Sequence, residues 1–350
     1  MDQNFWRHRS VFVTGHTGFK GGWISLWLSN LGAKVHGYSL APPTTPNFFS
    51  ETQLENRLQR STIGDIRDLA KLTSALQTAK PSILIHMAAQ PLVRESYVSP
   101  VETFSTNVIG TVNVLEAVRS IETVEAVINI TTDKCYENQE WVWPYRENDR
   151  LGGHDPYSSS KACAELAAVA YRNSFLVEAG IQLASVRAGN VIGGGDWATD
   201  RLIPDFLRAV DAGKSLSVRS PRAVRPWQHV LEPLSGYLLL AERLVTEGAE
   251  FAEAWNFGPS EADSKPVSWI LDRLGQKIPS VNCVLDGAPQ PHEAGVLKLD
   301  SVKARTKLNW APRWSLDTAL DKTVEWHQLW KDGQSMAEVS VQQIEAYQFA

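Results

Sequence analysis

Three glycines at three-residue spacing, Gly15, Gly18 and Gly21, stand between a short apolar run and a helix-patterned segment. That placement restricts the possible folds more than any other feature of the chain. Val11, Phe12 and Val13 read as a buried strand that ends at Thr14. Trp23, Ile24, Trp27, Leu28 and Leu31 then fall on one face of a helix, and Gly32 closes it by tolerating a left-handed cap. In such a strand–turn–helix unit Gly15 makes the tight turn, Gly18 lets backbone approach a pyrophosphate, and Gly21 lets helix pack on strand. The helix N-terminus adds free N–H groups and partial positive charge. A glycine-rich turn without a ligand is the plain alternative; the setting favours a dinucleotide.

The alternation continues. Strand-like runs at 34–38, 83–87, 126–130 and 183–186 are separated by helical patterns near 100–120 and 158–178. Phe104, Val108, Val112, Leu115 and Val118 form the apolar stripe of the first of these helices. Continuous apolar strands between helices imply a parallel sheet covered on both faces. From Asn190 onward glycines and prolines break the pattern. Residues 1–189 are therefore expected to form a dinucleotide-binding domain, with return segments within 229–258. Residues 190–350 are expected to be mainly a smaller substrate-binding region, with a loosely docked tail after Trp330.

Composition narrows the function. Of the 350 residues 43% are apolar and 21% charged, as in ordinary folded proteins. A net charge of −5 excludes a strongly basic nucleic-acid footprint. Cys135, Cys163 and Cys283 are too few and too far apart for a disulfide framework or a zinc site, so no metal is expected and a reducing cytoplasm fits. The N-terminus lacks an apolar signal core, and no apolar run is long enough to cross a bilayer.

The acid that usually holds the adenosine ribose belongs at the end of the second strand, about 20 residues past the glycine loop. Ser39 stands there, and no Asp, Glu or Arg occurs between Gly21 and Ser50. Neither the common NAD signal nor the common NADP signal is present. Asp65 is placed to meet the adenine or to cap the next helix, and Asp68 is a second candidate for the cap.

Three stretches carry chemistry. Ala88, Ala89 and Gln90 end one strand, with small residues that permit close approach of a cofactor. Thr131, Thr132, Asp133 and Lys134 end the next, and Tyr157 and Lys161 open a helix at a spacing of four. An ammonium at that spacing shares a face with the phenol. Together with a positive nicotinamide it lowers the tyrosine pKa toward working pH.

In this order the features resemble the extended short-chain dehydrogenase/reductase superfamily, with its Rossmann-type doubly wound parallel sheet. The pair Thr132–Asp133 before the tyrosine is similar to the nucleotide-sugar 4,6-dehydratases. Lys134, where many members have Glu, departs from that pattern and, with the glycine loop and the runs 134–157, 190–197 and 225–230, resembles the CDP-glucose branch. The likeness covers most of the chain, to about Trp330.

The resemblance implies NAD as cofactor and CDP-glucose as substrate, with no nucleic-acid or membrane partner and a homodimer paired through the helices near Pro100 and Tyr157. It implies cofactor contacts from Gly15, Thr17, Gly18, Phe19, Gly21, Ser39, Asp65, Ile66, Ala88, Ala89, Gln90, Tyr157 and Lys161. It makes Tyr157 the base at the sugar 4-hydroxyl, Thr132 a hydrogen-bond partner of that oxygen, Asp133 an acid, and Lys134 either the C5 base or an enolate stabiliser. Asn190 and Arg225 would meet the substrate diphosphate, with Arg201 and Arg219 as weaker candidates and Gln90 and Tyr97 near the sugar. A 4-epimerase or a dehydratase acting on another nucleotide sugar, and a catalytically silent dinucleotide sensor, are the competing readings.

Overall fold

β1 (Ser10–Thr14) is an inner strand of a seven-stranded sheet in the computed structural model, which describes residues 1–278, 282–286 and 294–350. Its partners are β2 (Lys34–Ser39) on one side and β4 (Ile83–His86) on the other, both parallel. β3 (Arg60–Ile63) extends the first side; β5 (Ala126–Ile130) and β6 (Gln182–Ala188) extend the second. Every pairing is parallel, and the order β3-β2-β1-β4-β5-β6 reverses direction between β1 and β4. That reversal opens a crevice at the strands' carboxyl ends. Buried His86 pins it, its ring nitrogens 2.8 Å from Thr14 Oγ1 and 3.1 Å from Thr111 Oγ1.

Helices cover both faces. α1 (Phe19–Asn30) follows β1, α2 (Leu69–Ala79) precedes β4, and α3 (Pro100–Phe104) continues through a π-helical turn at Ser105–Ile109 into α4 (Gly110–Val118). α5 (Pro156–Tyr171) starts with Pro156 in its first turn and with Asp155 Oδ1 accepting from the Ser158 amide at 2.9 Å, a combination suited to helix initiation. Asp68 caps α2 by accepting from the Lys71 amide at 3.0 Å, which leaves Asp65 for another use.

The chain beyond Asn190 builds a smaller lobe. β7 (Asn190–Ile192) pairs in parallel with β9 (Val224–His229), which pairs antiparallel with β11 (Ser264–Pro266). α6 (Leu202–Ala212), β8 (Leu216–Val218) and β12 (Cys283–Leu285) complete it, with β8 and β12 paired in parallel. α7 (Leu231–Thr246) returns to the large sheet, and β10 (Ala254–Phe257) adds to its edge beside β6. α8 (Leu316–Lys331) and α9 (Met336–Gln348) close the chain.

Three expectations fail. α1 is not amphipathic: Gly21 through Leu28 are all buried. Its second face is covered by the C-terminus, where Trp27 meets Tyr347 edge-on at 5.8 Å, and Trp23 Nε1 donates to Gly194 O at 2.9 Å. The tail is correspondingly not loose. Ile344 and Tyr347 are fully buried, and the Tyr347 hydroxyl donates to Glu232 Oε2 at 2.7 Å. The tail is polar in sequence, but its few apolar side chains meet a helix 320 residues away, the separation from Trp27 to Tyr347. The 100–120 stripe is also split: Leu115 and Val118 are buried, whereas Phe104 is exposed. Among the described residues no helix is long and apolar enough to cross a membrane.

Candidate active site

A cavity of about 820 Å³ follows the carboxyl ends of β1, β4 and β5 into the smaller lobe. The glycine loop forms one wall. Gly15 adopts φ +82°, and a Cβ there would lie 2.8 Å from Ala88 N; a Cβ at Gly21 would lie 2.0 Å from Gly15 O. Backbone meets backbone at both positions, so side chains are excluded. Gly18 caps α1 without a side chain, which leaves the helix N-terminus to an anion. Phe19, Ala88 and Ala89 line the adjoining wall.

At the end of β2, Ser39 and Thr17 share a 2.8 Å hydrogen bond between hydroxyls, where a carboxylate would be usual. Asp65 and Ile66 line the same end of the cavity. The Arg67 guanidinium forks onto both Asp65 oxygens and holds that carboxyl below its ordinary range. These hydroxyls, glycines and small residues suit a dinucleotide whose ribose meets neutral groups.

Gln90 is not part of this surface. Its side chain is consumed internally, donating to Leu92 O at 3.0 Å and to Thr103 Oγ1 at 2.9 Å while accepting from the Leu92 amide. It does not line the cavity. The strand-end position alone could not tell a ligand contact from a residue that shapes the next turn.

The reactive groups converge at the end of β5. Tyr157, in the first turn of α5, lines the cavity beside Thr132, and Thr132 Oγ1 donates to Asp133 Oδ1 at 3.0 Å. Asp133 is 1% exposed, and its Oδ2 is buried without a hydrogen-bond partner among the described residues. A buried polar atom left unsatisfied marks a place for a ligand or a water. Lys134 Nζ lies 3.9 Å from Asp133 Oδ1, and its side chain is 20% exposed.

Lys161 does share the tyrosine's helix face, but its ammonium donates to Ile130 O at 3.1 Å. Burial lowers it to about 8, with Glu165 opposing. Burial pushes the Tyr157 phenol up to about 12, with Thr132 opposing. The expected lowering of the phenol is therefore not built into the protein alone: desolvation outweighs the nearby donors.

The substrate candidates lie on the smaller lobe's side of the cavity. Asn190, Arg201, Arg219, Arg225 and Tyr97 all line it. Arg201 pairs with Asp196 at 2.9 Å and Arg219 with Asp200 at 3.0 Å. Arg225 is 3% exposed and donates to Val224 O at 3.0 Å. Lys20 was not singled out from sequence, yet it lines the cavity with Nζ 5.7 Å from the Tyr237 ring centre. Burial, then Arg201 and Lys161, push its ammonium down to about 7, with Asp133 opposing. The available signal was a lone charge between Phe19 and Gly21 in an otherwise uncharged loop. Among the described residues no group of three or more His, Cys, Asp or Glu could hold a metal ion.

A doubly wound sheet with a glycine loop at its switch point and a tyrosine–lysine helix facing the same cavity defines a dinucleotide-dependent enzyme of the short-chain dehydrogenase/reductase type. Residues 12–323 match the family model described as GDP-mannose 4,6 dehydratase, and the chain belongs to that family. A CDP-glucose 4,6-dehydratase of Salmonella typhimurium is 55% identical over 356 aligned positions, which span 100% of this chain and 99% of the relative. Two solved structures share the fold. A UDP-glucose 4-epimerase of Thermotoga maritima with UDP-glucose superposes with TM-score 0.79 at 23% identity, covering 91% of this chain and 98% of its own. A dTDP-glucose 4,6-dehydratase of Bacillus anthracis in complex with NAD gives 0.77 at 21%, covering 94% and 99%.

Proposed function

We propose that the chain catalyses the 4,6-dehydration of CDP-glucose, giving CDP-4-keto-6-deoxyglucose and water. The observation that carries dehydration over epimerisation is Asp133, buried beside Thr132 with one carboxylate oxygen unsatisfied. An epimerase needs no acid for a leaving hydroxyl. The nucleotide assignment rests on the whole-chain identity to the Salmonella enzyme.

The glycine loop, Thr17, Ser39, Asp65, Ile66, Ala88, Ala89 and Lys161 would hold NAD. When bound, NAD would supply a reversible hydride acceptor, so that the reaction consumes no net reductant. Tyr157 takes the proton of the 4-hydroxyl, and Thr132 donates to the C4 oxygen. The ketone makes the C5 proton acidic; Lys134 in its neutral amine form takes it, while Asp133 in its protonated form gives its proton to the departing 6-hydroxyl, so the C5–H and C6–O bonds break as the alkene forms. Asn190 and Arg225 hold the diphosphate, Arg225 through a planar fork that matches phosphate geometry.

The protein acts as a homodimer. Val101 on α3 and Leu166 on α5 are 82% and 59% exposed, and Val98, Ile109, Phe175 and Val177 are exposed nearby in the chain. An apolar band across two helices favours burial against a second copy. The three cysteines are unpaired, which suits a reducing cytoplasm.

The test is incubation with NAD and C4-deuterated CDP-glucose. The expected product has lost one water, carries the label at C6 and takes a solvent proton at C5. A C4 epimer of unchanged mass would refute the assignment.

A further inference from the structure

We propose that Glu165 is a positioning residue of the reaction, holding the Thr131–Asp133 end of β5 against the face of α5 that carries Tyr157 and Lys161. This rests on the dehydratase reading, since it concerns the same site.

Tyr157, Lys161 and Glu165 follow one another at spacings of four, so they share one face of α5. Each meets a different residue of the same strand end. Tyr157 stands beside Thr132 at the cavity wall, Lys161 Nζ donates to Ile130 O, and the Thr131 hydroxyl donates to Glu165 Oε1. Thr131 lies directly before the two residues assigned to substrate. Glu165 is the member of the three farthest from the cavity and does not line it.

The carboxylate is itself held rigidly. Arg187, on β6, donates from Nε to Oε1 and from Nη2 to Oε2, both at 2.9 Å. Its Nη1 donates to the Tyr136 hydroxyl at 2.8 Å and to Glu147 O at 3.0 Å, and Tyr136 donates to Asn256 Oδ1 at 2.7 Å on β10. The two charged side chains are 1% and 3% exposed. A buried ion pair is a poor device for stability alone, because apolar residues of similar volume often serve as well or better. A fixed carboxylate here does two things an apolar pair cannot. It anchors the strand end through Thr131, and it opposes the loss of the Lys161 proton. The other titratable groups acting on Lys161 are Cys135 on the turn after β5, Lys20 on α1 and His86 on β4.

The experiment compares wild type with Glu165→Gln and with the double variant Glu165→Leu, Arg187→Met, which removes both charges together and so leaves neither unpaired. Circular dichroism and thermal melting establish that each is folded. The expected result is a kcat reduced about 10- to 100-fold, as for a small misplacement of reacting groups, with KM for CDP-glucose changed less than about threefold. The ¹⁵N resonance of the Lys161 ammonium, assigned through Lys161→Met, titrates at lower pH in Glu165→Gln, because the opposing carboxylate is gone. That readout needs no turnover. Folded variants with kcat within about twofold of wild type, or an unmoved Lys161 titration in Glu165→Gln, would overturn the proposal and leave the pair a fold element. Wild-type conversion of CDP-glucose, run alongside, decides the reaction itself.

Discussion

Tyr157 and Lys161 lie in a site whose burial works against their charged forms. The phenol, pushed up to about 12, stays protonated at neutral pH until a positive nicotinamide adjoins it. Tyr157→Phe is expected to abolish turnover while cofactor binding stays within about twofold, because the hydroxyl is needed for the proton and not for the fold; fluorescence titration with NADH beside a rate assay checks this. For Lys161 the folded value of about 8 lies below the ordinary 10.5. The unfolded chain therefore binds more protons between those values, and stability rises with pH across that window. Below about pH 8 the buried ammonium is a full penalty. Lys161→Met should accordingly abolish activity yet raise the unfolding free energy at pH 7 by about 1–3 kcal/mol, with a smaller gain at pH 10. Urea melts at the two pH values measure it, and a variant less stable than wild type at pH 7 contradicts it.

The glycine loop and the tail of the chain make opposite demands on α1. Its N-terminus must approach β1 so closely that Gly21→Ala would drive a Cβ into Gly15 O. That variant should lose retained cofactor altogether, read by the nucleotide content of the purified protein. The rest of α1 needs a cover. Deleting residues 334–350 removes buried Met336, Val339, Ile344 and Tyr347 and should cost on the order of 5 kcal/mol, seen as a large fall in Tm with α1 tryptophans exposed to quencher. The strand–loop–helix unit was legible from the spacing of apolar residues and glycines, which are local signals. The cover was not, because Trp27 carries no mark of being met by Tyr347. Gln90 is likewise directed by groups its strand-end position does not reveal, through hydrogen bonds to Leu92 and Thr103.

Two apolar systems pack the large sheet, one on each face, and a third fills the smaller lobe. The exposed side chains of α3 and α5 belong to none of them. Light scattering at micromolar concentration should give twice the chain mass, and Val101→Asp with Leu166→Asp should give a monomer with reduced activity, since α5 also carries Tyr157 and Lys161. A monodisperse wild-type monomer refutes the dimer.

Periodicity and the positions of glycine gave away the parallel sheet, its glycine loop and the order of the reactive stretches, because those depend on local backbone geometry and on which residues avoid water. Convergence was decided only in three dimensions. Tyr157 meets Asp133 on one cavity across 24 positions of sequence, Lys20 turns into the same cavity, and Glu165 reaches back to Thr131. Hydrogen bonds and buried charges take their partners from whatever the packed sheet and helices bring near, and a linear chain carries no record of that distance.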